Sequence, residues 1–214
     1  MFNIIKKEFK IEWRQKNSLF GIVLYLLSLV FLIYNLQEEP DSLVWNSLIW
    51  LCVLFISINS VAKSFMSEHK GRWMYYYTVH HPQTLIGAKL IYNTIYMAVI
   101  GAINLMLFNF FIGFPAINKP LFIGLFLLGA ISFGLLFTFL SAIVSKVNNN
   151  TTLLAVLGFP LVFPLILILS DLSISLFLPV MVKGWNQFFM ALLAMDALIV
   201  GLSLVLFPYL WKES

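Results

Sequence analysis

Six stretches of the chain are almost continuously apolar, over about residues 18–36, 43–62, 90–112, 120–145, 152–170 and 188–210. Each approaches the roughly 20 residues that a helix needs to cross a hydrocarbon core about 30 Å thick. None alternates with the period of two expected of a membrane strand. A backbone in lipid must also bond within its own segment or in a closed barrel, so every stretch is predicted as helix. The polar intervals at 37–42, 113–119 and 171–187 are too short to fold as domains, and the longest, at 63–89, lies on the opposite side of the membrane from them. No internal repeat or low-complexity linker interrupts the pattern. The expected fold class is an all-α integral membrane protein of about six transmembrane helices, preceded by an amphipathic elbow helix. Its parts are a cytoplasmic elbow at 1–17, one six-helix domain at 18–210 with a cytoplasmic loop at 63–89, and a short cytoplasmic tail at 211–214.

Composition agrees with lipid as the main solvent. Of 214 residues 61% are hydrophobic and only 10% charged, with a mean hydropathy of +0.95, whereas a soluble domain carries about a quarter charged residues. The first sixteen residues are charged throughout, and the apolar run that follows lacks a small-residue cleavage site, so this run is expected to remain as the first span. Cys52 is the single cysteine and lies in an apolar run, so no internal disulfide is expected.

The net charge of +4 is small, and its distribution carries more information. Lys6, Lys7, Lys10, Arg14, Lys16, Lys63, Lys70, Arg72, Lys89, Lys146 and Lys212 fall on one side of the six spans. Only Lys119 and Lys183 fall on the other, together with the acidic Glu38, Glu39 and Asp41. The positive-inside rule then sets both termini in the cytoplasm, as an even number of spans also requires. The expected location is the bacterial inner membrane.

Two cytoplasmic segments carry candidate chemistry. Phe2, Ile5, Phe9 and Trp13 recur at three- and four-residue intervals, which stacks them on one helix face, while Lys6, Lys7, Lys10 and Arg14 fall largely elsewhere. Such a segment lies in the membrane interface. It serves either as a simple basic anchor or as an elbow that receives force from a partner. The second segment passes from polar residues at 64–72 into an aromatic run from Trp73 to Tyr77, and ends at Pro82. It is either a passive interfacial loop or a docking element that offers apolar side chains to another protein. Gly71 can break its first turn and Pro82 can close it before the next span.

Within the spans, Asp196 is the one clear charge, at an expected cost of about 3 kcal/mol near a bilayer centre. It reads as a hydrogen-bonded structural group or as part of a substrate or proton path. Counted from residue 188 it lies eight residues into its helix, off-centre. Pro160 and Pro164 share a helix face and free carbonyls there, for kinked packing or for a hinge. Gly124, Gly129, Ala130 and Gly134 permit close helix approach, and Asn59, Asn93, Asn104 and Asn109 can bond across helices. Trp45 and Trp185 are expected at the outer interface, and Trp13 and Trp211 at the inner one. His69, His80 and His81, the only histidines, all fall in the second cytoplasmic segment with a spacing poor for a shared metal, so no metal site is expected.

The basic elbow, the pattern Phe65-x-x-Glu68-x-x-Gly71 followed by Pro82, the lysine-led span at Lys89-Leu-Ile-Tyr92 and the stretch 159–166 with its two prolines together resemble the haem exporter protein B family of cytochrome c maturation. This is a family of short ABC-type permeases. The resemblance runs over nearly the whole chain, although Arg72-Trp-Met-Tyr75 stand where the family often has acidic residues. It implies an ATPase-coupling role for Phe65, Glu68, Gly71, Trp73, Tyr75, Tyr76, Tyr77 and Pro82. It also implies a separate ABC ATPase subunit holding ATP and magnesium, two copies of the permease, and haem-handling membrane subunits with a haem chaperone.

No G-x-x-x-x-G-K-[ST] loop, H-E-x-x-H helix or Ser/His pairing occurs, so a non-catalytic subunit is expected, with no cofactor of its own and no nucleic-acid partner. The implied function is haem export or ATP-driven release of a haem chaperone. The alternative is an ABC-2-type exporter permease for a lipid, glycan or small toxic molecule. An intramembrane aspartyl protease is disfavoured, because neither Asp171 nor Asp196 has a G-x-G-D context.

Overall fold

The computed structural model describes residues 16–36, 40–61, 82–145, 151–178 and 184–212, with the single positions Lys6 and Lys10. These residues form six helices: α1 (Lys16–Leu36), α2 (Ser42–Ser60), α3 (Pro82–Phe111), α4 (Lys119–Val144), α5 (Thr151–Ile174) and α6 (Trp185–Lys212). No strand occurs among the described residues. The helices α2 to α6 are each long and apolar enough to cross a membrane, and α1 adds an apolar stretch at Phe20–Leu36.

The helix α3 begins eight residues before the expected start of its span. Proline suits a first helical turn, where its fixed φ is already helical and its missing N–H would have had no partner. The turn that follows has its own apolar face, with Leu85, Ile86 and Ala88 fully buried in a cluster with Ala142 and Phe207. Residues 82–89 are therefore a helical extension of the span. The other ends fall closer to expectation. An Asp41 carboxylate accepts from the Ser42 N–H at 2.8 Å at the start of α2, and Pro120 sits in the first turn of α4. Past the end of α3, Gly113 takes a φ of 92°, and its N–H reaches back to the Phe108 carbonyl at 3.2 Å. This is the left-handed cap for which glycine is favoured.

The helix α4 is the hub and packs against α2, α3, α5 and α6. Of its membrane-length stretch 67% is buried, against 17% for α6. Small residues allow this crowding. A Cβ added at Gly101 of α3 would lie 2.8 Å from the Ala130 Cβ, and one added at Gly134 would lie 3.1 Å from Met97. One added at Gly129 would meet the Trp50 ring at 2.5 Å and Leu169 at 2.9 Å. Gly124, by contrast, has nothing within 4 Å and faces outward.

The end of the bundle that holds the α3–α4 connection is closed by an aromatic cluster. Trp45 is only 1% exposed, and its ring meets Phe108, Phe114, Phe122 and Phe177 at centroid distances of 5.5–5.8 Å. Its Nε1 donates to the Gly113 carbonyl at 3.1 Å. This tryptophan is a core peg, where the sequence led us to expect an interfacial residue. Trp185 keeps a partly exposed position, stacked on Phe189 at 5.3 Å.

Candidate functional site within the membrane

An apolar span tolerates a polar side chain best when its hydrogen bonds are met inside the protein. Three interhelical polar contacts satisfy that demand to different degrees. Between α2 and α5, Ser173 is a shared partner. It accepts from Trp50 Nε1 at 3.0 Å and donates to Asn46 Oδ1 at 2.7 Å. The Asn46 amide in turn donates to the Ser170 hydroxyl at 3.3 Å and the Ser170 carbonyl at 3.4 Å. Between α3 and α4, Asn93 donates to Thr138 Oγ1 at 2.9 Å, and Thr138 donates to the Gly134 carbonyl at 2.6 Å. Both clusters are well bonded, and such networks hold helices in one register.

The third contact is less complete. Ser132 of α4 donates to Asp196 Oδ2 of α6 at 2.7 Å, while Asp196 Oδ1 is buried without a hydrogen-bond partner among the described residues. The chain places this carboxylate nearer the middle of its helix than the sequence suggested. The helix α6 starts at Trp185 behind Gly184, whose φ is 96° and whose carbonyl accepts from Gln187 N–H at 2.8 Å. Asp196 thus lies eleven residues in, roughly 16 Å at about 1.5 Å per residue. Asn104 of α3 is fully buried, and neither its amide nitrogen nor its oxygen has a hydrogen-bond partner among the described residues. Of the other asparagines, Asn59 bonds the Phe55 carbonyl of its own helix at 3.0 Å, and Asn109 is exposed.

Of the hinge candidates, Pro160 is exposed and Pro164 partly so, and α5 continues as one helix through both. Phe159 and Phe163 are exposed beside them, stacked at 6.2 Å. Pro82 opens α3. The elbow positions Phe2, Ile5, Phe9 and Trp13, and the coupling positions Phe65, Glu68, Gly71, Trp73, Tyr75, Tyr76 and Tyr77, lie outside the described residues. So do the three histidines. Among the described residues no group of His, Cys, Asp and Glu could hold a metal ion.

Sequence reasoning missed Ser132 and the Asn46–Ser173 pairing. A serine in an apolar helix usually bonds the carbonyl one turn back, and Ser132 also does so, at 3.1 Å to Leu128. Nothing local separates such a serine from one that additionally reaches a neighbouring helix.

The arrangement offers buried hydrogen-bonded locks between helices, with two incompletely bonded polar residues on helices that pack against the hub. It is suited to holding helix packing. The sequence matches the family described as CcmB protein over residues 1–207. No curated protein and no solved structure matches it. That family supplies a membrane permease subunit, generally non-catalytic, to the haem-export system of cytochrome c maturation, a system that includes an ATPase subunit. Because the match runs from the first residue into the last of six apolar helices, this multi-pass membrane protein belongs to the CcmB protein family.

Proposed function

We propose that the chain is the permease subunit of an ABC-type complex that borrows its ATPase from a partner, and that it couples ATP hydrolysis to haem export or to release of a haem-carrying chaperone. The family match over residues 1–207 carries this reading and does not favour a general lipid, glycan or toxin exporter. Both termini and the loop 63–89 face the cytoplasm of a bacterial inner membrane. ATP and magnesium reside on the ATPase, two permease copies assemble with it, and haem-handling subunits and the haem chaperone complete the complex.

The helical extension at 82–89 supports a mechanism. Pro82, the expected end of the coupling segment, is the first residue of α3, a helix of 30 residues, or roughly 45 Å at about 1.5 Å per residue. Movement of the ATPase against Trp73–Tyr77 is delivered to the start of this rod. The rod transmits it to α4 through the close Gly101–Ala130 and Met97–Gly134 contacts and the Asn93–Thr138 bond. The response passes to α6 through Ser132–Asp196, and α5 bends at Pro160 and Pro164.

Mild-detergent purification of the tagged protein with mass spectrometry of what accompanies it tests the reading. An ATPase subunit with haem-handling proteins is expected, and replacing Trp73–Tyr77 by serine in a still-folded protein should deplete the ATPase. Recovery of an ATPase with unrelated export proteins would overturn the cytochrome c assignment. An intact, monodisperse chain that never brings an ATPase would overturn the coupling model.

A further inference from the structure

The contact between Ser132 of α4 and Asp196 of α6 can be counted hydrogen by hydrogen. The Ser132 hydroxyl has one hydrogen and two acceptors within reach, Asp196 Oδ2 at 2.7 Å and the Leu128 carbonyl at 3.1 Å. An ionised carboxylate brings acceptors only. It draws the single hydrogen away from Leu128, and its Oδ1 is still buried with no partner among the described residues. A protonated carboxyl brings a hydrogen of its own. With that proton on Oδ2 the same 2.7 Å contact runs the other way, at the usual length for an O–H···O bond. The serine's hydrogen is then released to Leu128, and the three groups form one chain without net charge.

The surroundings favour the neutral form, because no cation among the described residues faces Asp196. The helix α6 packs against α3, α4 and α5. The one ionisable residue of α4 is Lys119, thirteen residues and roughly 20 Å before Ser132. That of α5 is Asp171, beside Leu172, whose carbonyl accepts from Trp185 at the far start of α6. On α3, Leu90 and Thr94 line the groove shared with Val200 and Leu204 of α6. Tyr92 and Tyr96 stand two positions past them, about 200° around the helix. Lys89 lies between Ala88 and Leu90, in the turn packed on Phe207, eleven residues beyond Asp196. Tyr209 and Lys212 of α6 itself lie farther still. A lone charge at such depth in an apolar helix is costly, and a neutral acid avoids that cost.

We infer that Asp196 is a proton-binding site inside the membrane, holding a proton at neutral pH that it shares with Ser132 in the bond between α6 and α4. The proton comes from water and returns to it, and no bond between heavy atoms forms or breaks. Movement of α6 that wets the carboxyl releases the proton, and the return of α6 takes one up. Raising the pH therefore loosens the α4–α6 contact. The site stands on this contact and not on what the complex transports.

The test is infrared spectroscopy of the full chain in maltoside micelles, which carry no carbonyl groups, at neutral pH with and without carbon-13 aspartate. The chain has three aspartates, Asp41, Asp171 and Asp196. A protonated-carboxyl band that moves with the label is expected, and it should vanish in Asp196→Asn. In Ser132→Ala it should shift, because the acid loses its acceptor. If Asp196→Asn fails to fold, the double variant Asp41→Asn with Asp171→Asn leaves Asp196 as the single aspartate and should keep the band. Absence of a labelled protonated-carboxyl band, its survival in Asp196→Asn, its loss in the double variant, or an unchanged position in Ser132→Ala would each overturn the site.

Discussion

Gly129→Ala is the sharpest probe of how the hub is packed. The added methyl would sit 2.5 Å and 2.7 Å from two atoms of the Trp50 ring and 2.9 Å from Leu169 Cδ2. The indole cannot simply withdraw, because its Nε1 donates to Ser173 at 3.0 Å and its ring lies 5.3 Å from that of Phe126. Overpacking of a core typically costs about 1–3 kcal/mol. Losing an interhelical hydrogen bond in a membrane protein adds about 0.6 kcal/mol. Against this, alanine is favoured over glycine in a helix by at most about 1 kcal/mol. A net loss of about 2 kcal/mol follows from these terms, or roughly 30-fold in the unfolding equilibrium. Cys52 supplies the assay, being fully buried on α2, the helix that carries Trp50. Its reaction with a maleimide dye, followed through a titration of mixed micelles with dodecyl sulfate, reports unfolding. Gly124→Ala and Gly201→Ala are the controls, since nothing lies within 4 Å of a Cβ at either. Both should be neutral or slightly stabilising. In a Trp50→Phe background, which lacks the far ring atoms, Gly129→Ala should cost clearly less. Gly129→Ala as mild as the two controls would refute the packing argument.

Three further outcomes are expected. Ser132→Ala removes the bond to Asp196 Oδ2 and leaves a half-buried carboxylate with neither oxygen bonded among the described residues. It should lose about 1–3 kcal/mol, and adding Asp196→Leu should restore most of this in the Cys52 assay, while a silent Ser132→Ala would deny the contact any role as a lock. Trp45→Ala should cost about 3–5 kcal/mol as the aromatic cluster loses its centre, and Trp45→Phe, which loses chiefly the bond to Gly113, should cost far less by the same titration. Asn104→Leu removes an amide that is fully buried with no hydrogen-bond partner among the described residues, and should stabilise by about 1 kcal/mol. If it also abolishes cytochrome c maturation in cells, Asn104 serves function at the expense of stability.

The sequence by itself determined the membrane class, the number of apolar helices and most of their ends, because a span is a local property legible in about 20 residues. It also carried the family, through patterns spread along the chain. What it misplaced was decided by packing between distant segments. The start of α3 at Pro82 depends on Leu85, Ile86 and Ala88 meeting Ala142 and Phe207. Trp45 looked interfacial from its position near a span end, yet four phenylalanines and the Gly113 carbonyl enclose it. Asp196 and Ser132 stand 64 positions apart, and Asn46 and Ser173 stand 127 apart. Almost every face of these helices is apolar, so hydropathy does not reveal which side turns inward. Only the rotation and order of the packed helices decide that, and therefore decide which polar groups meet and which remain unbonded.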